Sequence, residues 1–398
     1  MQRTLTKCLK QSMLLLNLLI LSGCGEIVDQ TYYYGQIAAG QINILLMQKP
    51  IQDVINNPKT ADTIRNKLQL VLDAREFARD ALHLPVGKTY LNYVDLQRDA
   101  AVWNIFAVPE LSLNAKTWCQ PFLGCVAYRA YFKQIDAVNY AEFLKQQGFD
   151  TSVGGIDAYS TLGLINDPVF NTFLVGEDAR LVALIFHEIS HKLLYASGDT
   201  TFNESFAMTV EFEGLERWAN LHGQTDDYQQ YLLKQTFSRE VSDLLLQYQQ
   251  QLQELYASSQ SDAEKRLRKQ DIFDKFSTDY DLLRVQWSAK GITGRDFIVN
   301  NALFARTSAY YSLLPKFREI LDFLDNDLVK FYDVCKLLEA MSFDERQDIL
   351  KSDAAAIIDR IGYQPTVTTD SSPIFVNDSF NNSEVNAGQY IIQTCPEV

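Results

Sequence analysis

The chain has 398 residues, with 36 Lys and Arg against 50 Asp and Glu, for a formal charge of −14. So acidic a chain excludes nucleic acid as a partner and gives no electrostatic attraction to an anionic membrane surface. Its 47% hydrophobic content is enough to bury one large core or two smaller ones.

The first residues carry Arg3, Lys7 and Lys10, then an apolar run from Met13 to Leu21, then Leu21-Ser22-Gly23-Cys24. The run is too short to cross a bilayer, and the pattern predicts a lipoprotein signal peptide over 1–23 with Cys24 as the lipidated residue. The chain is therefore expected in the cell envelope, held to the membrane through the lipid on Cys24 and facing the periplasm. Gly25, standing where Asp would signal retention, points to the outer membrane. Cys8 leaves with the leader, so four of the six cysteines remain to form disulfides in an oxidising compartment: Cys119, Cys125, Cys335 and Cys395. Cys119 with Cys125 closes a short loop, and Cys335 with Cys395 would tie the tail back. Three pairings are open on sequence.

From Tyr32 to Leu84 apolar residues recur at helical spacing, interrupted at Pro50 and at Asn56-Asn57-Pro58, which predicts two or three helices. From Lys88 to Phe132 the pattern shortens and alternates, as in Ala101 to Phe106 and Val126 to Phe132, and reads as strands. A helix is predicted over 135–147, then a strand over 150–159. Gly154 and Gly155 would let another backbone approach there. We read Gly154, Gly155, Asp157 and Tyr159 as a strand that adds a peptide substrate by main-chain hydrogen bonds. A plain sheet strand with a glycine bulge fits as well, and Asp157 is either an anchor for a substrate ammonium or a solvated or capping residue.

The run Leu181 to Phe186 leads at helical spacing into His187-Glu188-Ile189-Ser190-His191, with Gly198 placed to cap the helix. The chain has only four histidines, and two fall in this pentapeptide. Residues four apart share a helix face, so both imidazoles can aim at one point. A hydrolytic zinc site needs three protein ligands, an open position and a carboxylate to take a proton from water. Glu188 supplies the carboxylate. Glu204 is the third ligand if a second helix, starting after a tight Ala196 to Thr200 turn, packs antiparallel to the first. Thr201 with Glu204 also matches a capping box that needs no metal. Glu211, two turns further on, either orients a ligating imidazole or is an exposed helix residue.

Beyond His222 a Gln-rich segment over 226–290 reads as a long helical hairpin, and the charged run Glu264 to Lys269 as a solvated face. A helix broken near Pro315 is expected over 300–323. Past Tyr363 the composition predicts a polar tail of loop or loosely held strand.

The pairing of His187-Glu188-x-x-His191 with Asn203-Glu204-x-x-Ala207 resembles the gluzincin peptidases, the thermolysin and M1 aminopeptidase group. Trp118-Cys119, Gly124 to Phe132, Gly154 to Gly163 and Phe202 to Ala207 resemble more closely the putative aminopeptidase family of Gram-negative bacteria, from about Tyr34 to about Phe317. The resemblance implies one zinc ion held by His187, His191 and Glu204, with Glu188 as the base. Two departures are visible: only twelve residues separate His191 from Glu204, and Lys192 stands where such motifs carry an uncharged residue. Asn300 to Tyr311 is also a stretch the family shares, and Tyr310 is the residue chosen there to stabilise the oxyanion.

The expected fold is α+β and predominantly α-helical: a gluzincin core with a small mixed sheet and the HExxH helix packed on the NExxA helix. Its divisions are an amino-terminal helical region (24–85), a zinc-peptidase core (86–223), a carboxy-terminal helical region (224–362) and a polar tail (363–398). The expected function is zinc-dependent hydrolysis of peptides by an aminopeptidase. The alternatives are a zinc endopeptidase of the envelope and a non-catalytic envelope scaffold.

Overall fold

A computed structural model describes residues 30–120, 124–157, 159–160, 166–307, 312–364 and 392–393. Cys24, Tyr310 and Cys395 lie outside the described residues. Helix α1 occupies 30–47 and ends before a two-residue strand, β1 (Lys49–Pro50). Then come α2 (Ile51–Asn56) and α3 (Asp62–Asp80), so the breaks fall where the prolines placed them. The aromatic segment forms β2 (Asn92–Val94), β3 (Val102–Pro109), β4 (Trp118–Gln120), β5 (Gly124–Val126) and β6 (Arg129–Tyr131). The run 126–132, expected as one strand, is divided between β5 and β6.

Next follow α4 (Gln134–Gln146), β7 (Phe149–Ile156), β8 (Tyr159–Ser160), β9 (Val169–Phe170) and a 3-10 turn at Asn171–Leu174. Helices α5 (Asp178–Ser190) and α6 (Thr200–His222) carry the metal motif. The helical hairpin is α7 (Thr225–Ala257) and α8 (Asp262–Ser288). The last helices are α9 (Asn301–Ala305), α10 (Leu314–Phe323), α11 (Leu328–Glu339), α12 (Phe343–Ile349) and α13 (Ala354–Arg360), and the tail returns as β10 (Ile392–Gln393). Pro315 opens α10 instead of breaking a helix, because an early helical position needs no amide hydrogen.

The protein is predominantly helical, as expected, but its strands do not form a single mixed sheet. One small sheet is ordered β1-β2-β9 and mixed, another is β6-β3-β7 and antiparallel, and β4-β5 and β8-β10 are two-stranded. Residues from α2 and α3, from α5 and α6 and from α10 to α13 share the main apolar cluster, so helices from before and after the motif clamp its two helices. The α7–α8 hairpin has its own cluster around Phe237, Tyr248, Phe276 and Trp287, joined by Leu303 and Phe304 of α9. A third cluster, including Trp103, Ile105, Ala107, Ala137 and Leu144, packs one face of the β3 sheet against α4. Among the described residues no helix is long and apolar enough to cross a membrane.

Cys119 and Cys125 form a disulfide that closes the β4–β5 ribbon. Cys335 corrects the second expected pairing: it is a free, fully buried thiol inside α11, and burial pushes its pKa well up. It serves as a small apolar core residue.

Candidate metal centre

Helix α5 buries Leu181, Val182, Ile185, Phe186 and Ile189, and that stripe fixes the roll of the helix so that His187 faces α6 and Glu188 is buried beside it. The helix ends at Ser190, earlier than Gly198 suggested. Ser190 turns its hydroxyl back to donate to the carbonyls of Phe186 (2.6 Å) and His187 (2.8 Å). His191 is the C-cap, still with αR backbone angles, so it keeps its place one turn above His187.

The short connection to α6 is held by Asn203. Its Nδ2 donates to the Ala196 carbonyl (2.9 Å), and its Oδ1 accepts from the Ala196 amide (2.7 Å). The side chain of Asp199, not Thr201, caps α6 by accepting from the Phe202 amide (3.1 Å), and its other oxygen accepts from buried Arg346 (2.9 Å). The capping-box reading of Glu204 is thereby set aside. Further along α6 a Cβ on Gly214 would lie 2.8 Å from Phe186 Cδ2 and 2.6 Å from Leu82 Cδ1, so the glycine lets the two helices close up beside His187.

His187, His191 and Glu204 are all buried, and one ligand atom from each lies within 4.8 Å of the others. His187 Nε2 is 3.2 Å from His191 Nε2 and 3.3 Å from Glu204 Oε2, and His191 Nε2 is 3.7 Å from Glu204 Oε1. Bonds of about 2.0–2.1 Å to one tetrahedral ion set neighbouring ligand atoms roughly 3.3 Å apart. The pairings His187 to Glu204 and Glu211, and His191 to Glu204, also show that α5 and α6 run antiparallel.

His187 Nδ1 donates to Glu211 Oε2 (2.8 Å), so Nε2, whose proton a metal ion would displace, is the nitrogen turned toward His191 and Glu204. Glu211 Oε1 accepts from Tyr231 of α7 (2.5 Å). Glu204 Oε2, although 3.3 Å from His187 Nε2, makes no hydrogen bond, and neither do Glu188 Oε1 and His191 Nδ1. Burial would lower the His187 pKa, but Glu204 and Glu211 outweigh it and hold the imidazole well above its ordinary value. Burial takes His191 down to about 4 and Glu188 up to about 7, the latter with help from Glu204, Asp167 and Glu211. Burial raises Glu204 too, and the imidazoles of His191 and His187 reverse the sign and hold it low. Two carboxylates out of water, Glu188 and Glu204, each with an orphaned oxygen, make a site that a divalent cation would complete.

Lys192 does not intrude on this cluster, because its ammonium reaches out to the Thr89 hydroxyl. Thr89 is itself fixed through its carbonyl by buried Arg75 (2.8 Å). Asp157, expected on the substrate strand, is ion-paired with Arg180 of α5 (2.7 Å), which ties the end of β7 to the motif helix and supplies no free anion. Gly154 and Gly155 lie in β7, an edge strand of the β6-β3-β7 sheet. Tyr159 falls in the separate strand β8, which the chain's own β10 pairs through Tyr159 to Gln393 and Ser160 to Ile392. The single substrate strand expected to carry Gly154, Gly155, Asp157 and Tyr159 is thus two strands with different partners.

Sequence reasoning did not single out Tyr231, Tyr90 or Asp167. Tyr90 is buried with a left-handed backbone (φ 59°), and its amide donates to the Asp167 carbonyl (2.9 Å). Burial, with Glu188 and Asp167 nearby, raises the Tyr90 hydroxyl well above its usual pKa. All three come from segments remote from the motif, and the sequence offers no local signal for them.

A buried His-His-Glu group on two antiparallel helices, with a further carboxylate beside it, defines a helical protein with a candidate metal-ion centre. The chain belongs to the family described as "Putative aminopeptidase", whose model matches residues 32–350. No curated protein and no solved structure matches it.

Proposed function

We propose that the protein is a zinc-dependent peptide hydrolase, an aminopeptidase acting on peptides in the periplasm. The observation that carries this reading is the convergence of His187 Nε2, His191 Nε2 and the Glu204 carboxylate to within 3.2–3.7 Å of one another, with buried Glu188 next in sequence to His187. Two imidazoles and one carboxylate are a donor set that catalytic zinc uses. A zinc ion held there would supply Lewis acidity, polarising the scissile carbonyl and acidifying water.

Glu188 carries the proton chemistry. Buried beside the ligand His187, its carboxylate accepts a proton from the attacking water and returns it to the leaving amine. Glu211 holds the His187 tautomer, and Tyr231 holds Glu211. Family membership supports peptide hydrolysis as the reaction class, and the choice of amino-terminal over internal cleavage rests on the family's description. Attachment through a lipid on Cys24 rests on the leader pattern alone.

The test is cleavage of a peptide library by the zinc-loaded protein and by Glu188→Gln. Loss of turnover with zinc retained supports the reading, and equal turnover ends it. For the anchor, Cys24→Ala should remove fatty-acyl label from the mature protein; label that persists would exclude lipidation at Cys24.

A further inference from the structure

On β3, Asn104 is only 1% exposed, yet neither its amide nitrogen nor its amide oxygen has a hydrogen-bond partner. The neighbouring amides are fully engaged. Asn300 Nδ2 donates to the Thr151 carbonyl, and Asn301 Nδ2 donates to the carbonyls of Pro109, Glu110 and Ser112 while its oxygen accepts from Tyr256. Leaving both ends of one buried amide unpaired costs stability, so such a residue requires an explanation.

Register supplies one. Asn104 stands directly opposite Gly154 of β7, so both project to the same side of the sheet with Cβ positions about 5 Å apart. A Cβ on Gly154 would lie 3.7 Å from Arg306 Nη1. The Arg306 guanidinium therefore sits over the bare glycine, on the face of the sheet that carries the unpaired amide. Its side-chain hydrogen bond is a long one to Ser152 Oγ (3.4 Å), on the same face of β7, and no carboxylate pairs with it among the described residues. Burial and the nearby Arg295 bring its pKa down to about 10, so it stays charged at neutral pH. A partly buried cation with no counterion among the described residues, on the same sheet face as a buried amide with no partner among them, is a half-built site for an anion. The same face carries Val102 and Ile156 into the main cluster around α5 and α6, and the opposite face is occupied by α4.

We propose that Arg306 and Asn104 form a carboxylate subsite that anchors a peptide through its free carboxy terminus or an acidic side chain. The substrate class becomes short peptides bearing an accessible carboxylate. Two Arg N–H groups and the Asn104 amide can donate to the two oxygens, and Gly154 leaves room for them. The assignment rests on the hydrolase reading for its consequence in turnover, while binding can be tested without it.

Three matched peptides serve as probes on the full zinc-loaded chain: a free acid, its carboxy-terminal amide, and the amide with Glu as the last residue. Wild type should show a KM about ten- to a hundredfold lower for the favoured carboxylate peptide than for the plain amide. A low KM for the free acid alone identifies the carboxy terminus, and one shared by the Glu amide identifies any carboxylate. Arg306→Gln should bring the ratio close to one. Asn104→Leu should also shrink the ratio but raise the melting temperature, since it replaces an unsatisfied amide with an apolar side chain of similar size; a structural role would lower it. Equal KM for all three peptides in wild type, or a destabilised Asn104→Leu with its preference intact, overturns the proposal. If wild type cleaves nothing, the hydrolase reading fails, and calorimetric titration of the same peptides still decides: tighter binding of a carboxylate peptide, lost in Arg306→Gln, upholds the subsite, and equal binding rejects it.

Discussion

Replacing Glu211 with Gln tests whether the buried chain from Tyr231 to His187 tunes the metal centre. Glu211 is 6% exposed and accepts two hydrogen bonds, from His187 Nδ1 at 2.8 Å and from Tyr231 at 2.5 Å. Gln keeps the shape but offers one acceptor and one donor, so one of the two buried donors must face an amide NH2. An unsatisfied buried donor costs about 1–3 kcal/mol, and the negative charge that strengthens the His187 imidazole as a ligand is lost as well. Loss of such a partner lowers metal affinity about ten- to a hundredfold, which corresponds to about 1.4–2.7 kcal/mol. Competition of the protein against a chromophoric chelator for zinc should show that drop, and Tyr231→Phe, which leaves the carboxylate in place, should show a smaller one. A Glu211→Gln protein that folds and binds zinc as tightly as wild type would refute the assigned role of the carboxylate.

Asn203→Ala should unhook the loop between the motif helices, leaving the Ala196 amide and carbonyl without their partners; a loss of about 2–4 kcal/mol is expected in denaturant unfolding, with weaker zinc binding, and an unchanged midpoint would argue that the loop holds itself. Arg346→Met strands Asp199 in the core and should cost about 3–5 kcal/mol, read as a lowered melting temperature; a shift near zero would mean that water reaches the pair. Cys335 should resist thiol reagents in the native protein and react only on unfolding, and peptide mapping that found it in a disulfide would contradict the structure.

The sequence was most legible where local pattern and chemistry coincide. Prolines marked the breaks between α1, α2 and α3, and the two imidazoles four apart had to share a helix face. Glu204 was harder, because a carboxylate three residues after Thr201 suits a cap or a metal equally. What separates the two is the bidentate grip of Asn203 on Ala196 and the capping by Asp199, both set by loop geometry. Asp157 misled for a related reason: its partner Arg180 lies 23 residues on, and an ion pair across such a gap leaves no spacing signature. Tyr231, Arg346 and Arg306 reach their places from other elements, so only tertiary packing reveals them. Cys335 shows that an even cysteine count does not oblige pairing when one thiol is needed as core volume.

The most direct test of the central claim is peptide turnover by wild type and Glu188→Gln, each shown to hold one zinc per chain. The account predicts cleavage by wild type and a fall of at least about a hundredfold in the variant, with zinc content unchanged. Equal turnover by the two proteins, or turnover by wild type that persists after zinc is stripped, would contradict it.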